Sequence, residues 1–173
     1  MNQPAPWGYI AALTLELLAL AVWVGGLLVL MGAVIPAVFN TFGGQDSGGF
    51  FLTRTFEGYN RLVVAAIVCL VLSMGYRWWS GHPVAQVKPS EVLMVALMSV
   101  IAGVIILVLH PKAAALQAEA FALKDDQARK AAFEAFFRLH MPVRSLYMVN
   151  LVLGVLLLGM KAKRSWMNQG VLA

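Results

Sequence analysis

The sequence predicts an all-α polytopic membrane protein: a bundle of four transmembrane helices with an amphipathic helical arm between the third and the fourth. Three observations predict it. Four long apolar runs follow one another along the 173 residues. Hydrophobic residues make up 61% and charged residues only 12%, where a soluble domain carries roughly 25% to wet its surface. Most charges also fall between and after the apolar runs, and the single acid Glu16 interrupts the first. The whole chain, 1–173, reads as one membrane domain.

The first span runs from about Tyr9 to Phe39, longer than the roughly 20 residues that cross hydrocarbon. Met1 to Trp7 carries no Lys or Arg, so the run reads as a retained helix and not as a signal peptide. Pro36 kinks or ends it, and Gly25, Gly26 and Gly32 would let a neighbouring helix approach. Asn40 to Asn60 reads as a loop, made flexible by Gly43, Gly44, Gly48 and Gly49, with Phe50, Phe51 and Phe56 on the membrane surface. The second span is about Leu62 to Trp79. Ala65, Cys69 and Ser73 make a small-residue stripe along it, and Tyr76, Trp78 and Trp79 form an aromatic belt at its end.

His82 and Pro83 belong to the next loop, where His82 reads as an ordinary loop residue. The third span is about Val92 to Leu109, with Ser90 as N-cap and Glu91 at the positive end of the helix dipole. His110-Pro111 either ends it or kinks a longer helix. Lys112 to Leu139 is the amphipathic arm, helical and lying in the headgroups, with a break at Lys124-Asp125-Asp126. Its second half sets Phe133, Phe136, Phe137 and His140 on one face and pairs Glu134 with Arg138. The fourth span, about Met141 to Met160, is followed by Lys161, Lys163 and Arg164.

Four spans put both termini on one side, here side A, with the Arg77 to Glu91 loop. Side B holds the other two connections. Side B carries the larger count of Lys and Arg, but the tail after the last span is purely basic, and cytoplasmic termini are expected from it. The expected location is a bacterial inner or plasma membrane.

The net charge of +5 points to anionic headgroups, because no basic patch sits on a soluble segment; nucleic-acid binding is rejected. The one cysteine, Cys69, lies in an apolar run and excludes both an internal disulfide and a cysteine metal cluster. No Walker loop, GxSxG, HExxH or zinc pattern occurs, and nothing pairs a nucleophile with a base. No catalytic residue is therefore assigned.

Helix parity gathers a candidate polar cluster on side B: Asn60, Arg61, His110, His140, Arg144 and, about ten residues below His140, Asn150. His140 and Arg144 are one turn apart and are expected to face the bundle or the arm. Each residue has a plainer reading. The histidines can cap helix ends, the arginines can snorkel to phosphates, and Asn150 can bond across helices. Glu16 is either a functional intramembrane acid or an interface residue. His110 and His140 are weak metal ligands without a third. The nine Met, among them Met31, Met94, Met98, Met141 and Met148, offer thioethers to Cu(I) but no MxxM run.

Trp23-Val24-Gly25-Gly26, Pro36-Ala37-Val38-Phe39, Phe56-Glu57-Gly58-Tyr59-Asn60, His110-Pro111 and Phe137-Arg138-Leu139-His140 followed by Asn150 together resemble the transmembrane protein 205-like family, a domain of unknown function. The resemblance covers about residues 10 to 160 and implies a four-helix membrane fold without an established reaction. A looser likeness is to the copper-resistance D and haem-dependent protoporphyrinogen oxidase groups. The expected function is non-enzymatic: an accessory subunit, or a small-solute or metal-handling membrane protein. The alternative is a redox protein holding haem or copper through His110 and His140. No cofactor is assigned. Partners are the lipid bilayer and other membrane subunits or a second copy.

Overall fold

The protein is described by a computed structural model, which covers residues 7–42, 45–81 and 86–169, with side chains described at 7–42, 47–81 and 86–163. Four helices account for almost all of it: α1 (Trp7–Phe42), α2 (Gln45–Ser80), α3 (Pro89–Ala122) and α4 (Asp126–Gln169). No strand occurs among the described residues. Each helix contains a window apolar enough to cross a membrane, and their outward faces carry Leu72, Leu93, Val100, Leu107, Val152 and Leu156 exposed. Water would not tolerate apolar surface of that extent, and lipid does.

One pattern in the sequence fixes which face turns inward. Buried positions recur in alternating steps of four and three: Tyr59, Val63, Ala66, Leu70, Ser73 and Arg77 on α2; Glu91, Val95, Met98, Ala102 and Ile105 on α3; Val143, Tyr147, Asn150, Gly154, Leu157 and Lys161 on α4. A mean step of about 3.5 residues is the seam of a left-handed bundle. On α1 the seam runs through Ala12, Glu16, Ala19, Trp23, Leu27 and Leu30. Its extra step of four, from Trp23 to Leu27, falls at a wide π-type turn over Ala21–Gly25, where one additional residue is accommodated.

Two further wide turns, Leu30–Val34 and Ile105–Leu109, each end two residues before a proline, Pro36 and Pro111. A proline ring collides with the carbonyl one turn back and donates no hydrogen bond; a locally widened turn relieves both and lets the helix continue. Neither proline therefore ends its helix. Of the two alternatives at His110-Pro111, the longer helix is the one observed.

The helices overrun the apolar runs, and one expectation is corrected. Asn40 to Asn60 is not a flexible loop over its described residues: α1 continues to Phe42 and α2 is helical from Gln45, while Gly43 and Gly44 lie outside the described residues. Gly48 and Gly49 serve close approach and not flexibility. A Cβ on Gly49 would lie 2.5 Å from the Gln117 amide nitrogen, and one on Gly48 would lie 3.2 Å from Val38. Phe50 packs on Phe121 at 4.5 Å between ring centroids and Phe42 on Phe51 at 6.0 Å, so tertiary contacts override the glycines' low helix propensity. The amphipathic arm is helical as expected, and its two halves continue the third and fourth spans as the side-B ends of α3 and α4. The chain breaks at Leu123 to Asp125, near where the sequence places the break, and the Asp125 carboxylate accepts the Ala128 N–H at 2.8 Å. Phe121 and Phe133 close this hairpin edge to face at 5.5 Å. At ~1.5 Å per residue, helices of 34 residues or more are ~50 Å long and must project beyond ~30 Å of hydrocarbon.

Three smaller differences follow from the seam. Gly25 and Gly32 have nothing within 4 Å of a Cβ, whereas Gly26 lies against the Tyr59 ring. Ala65 is exposed and Cys69 half-buried, leaving Ser73 as the buried member of that stripe. Ser90 does not cap α3, which opens with Pro89 in its first turn after Lys88. His82 lies outside the described residues.

Candidate functional site

Two polar layers interrupt the apolar seam. At side A each helix contributes one charged side chain: Glu16 from α1, Arg77 from α2, Glu91 from α3 and Lys161 from α4, all buried. One guanidinium nitrogen of Arg77 donates to both oxygens of Glu16, at 2.7 and 2.9 Å, and reaches Glu91 at 3.4 Å. A second donates to the Gln86 carbonyl at 3.3 Å. The Lys161 ammonium donates to Glu16 and, at 3.3 Å, to Glu91. The formal charges, two negative and two positive, cancel. In a low-dielectric bundle this balance is what makes burial of four charges tolerable. The meeting of α1 and α3 N-terminal ends with α2 and α4 C-terminal ends also fixes the up-down-up-down order.

Towards side B the second layer is neutral. The Tyr59 hydroxyl donates to the Trp23 carbonyl at 2.7 Å, within the wide turn of α1. The Tyr147 hydroxyl donates to Asn60 Oδ1 at 2.9 Å, and Asn150 Nδ2 donates to the Met98 carbonyl at 3.3 Å. Asn60 Nδ2 and Asn150 Oδ1 remain buried without a hydrogen-bond partner. Both amides line a small cavity of about 10 Å³ with Trp23, Tyr59 and Tyr147. Asn60 also lines a larger, open pocket of about 520 Å³ between α2 and α3, walled by Thr53, Arg54, Glu57, Arg61, His110 and Gln117. Glu57 pairs with Arg54 at 3.0 Å and with Arg61 at 2.7 Å; the Thr53 hydroxyl donates to buried Gln117. Arg54 and Arg61 against Glu57 leave the wall with one positive charge in excess.

The sequence-predicted cluster is thus divided. Asn60 and Asn150 meet at the inner cavity; Asn60, Arg61 and His110 share the outer pocket. His140 and Arg144 are exposed, so of the two expected faces, bundle or arm, they do not take the bundle. His140 stacks on Phe136 at 5.5 Å and is not among the residues that line either cavity. The four-residue spacing aligns His140 with Arg144, but both sit off the seam of Val143, Tyr147 and Asn150. No group of three or more His, Cys, Asp or Glu is placed to hold a metal among the described residues. Glu16, flagged as an intramembrane acid, is fully buried in the ion layer. Its three partners were missed: Arg77 and Lys161 read as side-marking charges and Glu91 as a dipole contact. The seam, which all four occupy, is the signal that finds them.

Four apolar antiparallel helices around a charged layer and a neutral polar layer define a small polytopic membrane protein whose buried polar groups face one another. Residues 18–122 match the family model described as Domain of unknown function (DUF4149), and the chain belongs to that family. The matched segment runs from α1 to the end of α3 and includes Asn60, Arg77, Glu91 and His110; Glu16, Asn150 and Lys161 lie outside it. The match does not single out the transmembrane protein 205-like group. No curated protein and no solved structure matches the chain.

Proposed function

We propose that the protein is a non-enzymatic membrane protein that takes a small, polar, negatively charged solute in the side-B pocket between α2 and α3. One observation carries the reading. A pocket of about 520 Å³, in the range of ~300–1,000 Å³ usual for small-molecule sites, has Arg54, Arg61 and His110 in its wall and Asn60 at its inner end. Glu57 neutralises one arginine, so an anionic group on the solute balances the other. Of the roles expected from the sequence, the pocket favours solute handling over an accessory-subunit or metal-handling role. The likeness to the transmembrane protein 205-like group supports the four-helix membrane fold and no particular solute.

The test is a stability screen of the purified protein in lipid nanodiscs against inorganic phosphate, dicarboxylates and sugar phosphates. A saturable rise in Tm is expected for one class of anion, lost in the double variant Arg61→Ala/His110→Ala. Occupancy at 100 Kd stabilises by ~2.7 kcal/mol, well within detection. No shift with any anion, or a stoichiometric Soret band in the visible spectrum, would overturn it.

For orientation, we propose that side B faces the cytoplasm. Arg77 and Lys161 neutralise Glu16 and Glu91 inside the bundle, so they do not act as interfacial charges. Of the eleven other Lys and Arg, eight lie on side B against Lys88, Lys163 and Arg164 on side A, which supports the reverse of the orientation expected from the basic tail. Cysteine labelling in a Cys69→Ala background tests it: position 125 should react from the cytoplasmic side and position 88 from the other.

A further inference from the structure

We infer that one water molecule is bound between Asn60 and Asn150, inward of the side-B pocket. It accepts a hydrogen bond from Asn60 Nδ2 and donates one to Asn150 Oδ1. The inference stands independently of the solute reading, since it concerns the inner cavity alone.

The chemistry of the site is specific to water. Asn60 is 5% exposed and Asn150 3%, so neither amide reaches solvent directly. Each leaves one atom without a partner, and the two are complementary: a donor nitrogen and an acceptor oxygen. They make no hydrogen bond to each other, and both residues line the same cavity. That cavity, about 10 Å³, is at the lower limit of the ~10–15 Å³ that one water occupies. A bound water needs two to four polar partners. Tyr59 and Tyr147 line the cavity as well; each hydroxyl already donates, to Trp23 and to Asn60, and keeps lone pairs with which it can accept.

Other occupants fit less well. A sodium or calcium ion requires about six oxygens, and Asn60 offers its nitrogen to the cavity because its oxygen is held by Tyr147. An apolar group would leave both amide atoms desolvated and unpaired. Asn60 also lines the outer pocket, so the water sits one side chain behind the pocket and carries hydration towards the middle of the bundle.

The experiment is a water-to-amide cross-relaxation spectrum of the full chain in nanodiscs, with asparagine side chains labelled by ¹⁵N. Cross peaks to the water resonance are expected at the Asn60 and Asn150 side-chain amides. In Asn150→Leu the Asn60 cross peak should disappear. Asn150→Ser is the companion that separates loss of the acceptor from loss of structure: its hydroxyl can still accept, and the Asn60 cross peak should survive. Absence of water cross peaks at both amides in the folded wild type, or a direct Asn60-to-Asn150 contact in their place, would overturn the assignment. So would an Asn60 cross peak unchanged in folded Asn150→Leu.

Discussion

The two polar layers make a controlled comparison within one bundle. At side A four charges close on one another: Glu16 and Glu91 are each shared between Arg77 and Lys161. Towards side B, Tyr59, Asn60, Tyr147 and Asn150 are neutral, and two of their amide atoms stay open. The difference follows from what each group costs when unpaired. A desolvated lone charge costs several kcal/mol, so a charged layer inside a bundle must balance. An unpaired amide atom costs ~1–3 kcal/mol, which a folded protein can carry where a ligand or a water later meets it. The closed layer is therefore read as a device that sets helix order and register, and the open layer as the one with capacity to bind.

The largest effect should come from breaking the charge balance. Arg77→Ala removes one of the two cations between the carboxylates and unbalances the layer, and a destabilisation of ~3–5 kcal/mol is expected, by analogy with other broken buried ion pairs. Thermal unfolding in detergent, or loss of a monodisperse peak, would register it. The double variant Glu16→Gln/Lys161→Met removes one charge of each sign and should be markedly less damaging than the sum of its single variants. A silent Arg77→Ala would remove the contrast between the layers altogether.

Next comes the packing that lets the layers exist. A Cβ on Gly154 would lie 2.5 Å from a Val24 methyl and 3.3 Å from the Met98 methyl. Gly154→Val should therefore force α4 away from α1 and α3 at a cost of ~1–3 kcal/mol. The same substitution at Gly159, which has nothing within 4 Å, is the control and should unfold at nearly the wild-type temperature.

How much of this was legible in the sequence depends on which period was read. Apolar runs and parity gave four helices, the shared side of the termini and the placing of Asn60 and Asn150 at a common site. They did not give helix ends, because Gly48 and Gly49 lower local propensity while Val38, Gln117 and Phe121, remote in sequence, hold them in a helix. Nor did they give the ion layer. Hydropathy treats Arg77, Glu91 and Lys161 as flanks of apolar runs, whereas the alternating four-three steps that end on Arg77 and Lys161 treat them as the last members of the buried seam. The same steps exclude Arg144, one residue past Val143. Counting spacing from one polar residue to another, as for His140 and Arg144, finds neighbours on a helix face without saying which way that face points.

The smallest effect on stability should come from the pocket, where the effect on binding is largest. The Arg61 side chain is 78% exposed and its partner Glu57 lies on the next turn of the same helix. Ion pairs of that kind hold two mobile side chains in water and add little, so Arg61→Ala should leave the unfolding temperature unchanged within error. His110, half-buried in the same wall, should tolerate Ala with only a small loss. If the pocket takes an anion, both variants nevertheless weaken it, because each removes a donor from the wall while Glu57 stays. Arg61→Lys then separates charge from geometry. A lysine keeps the positive charge but not the planar fork of a guanidinium, so partial recovery identifies a point-charge contact and no recovery a bidentate one. Equal anion affinity in wild type, Arg61→Ala and His110→Ala would mean that the solute binds elsewhere, and the open layer would keep its bound water without a role in recognition.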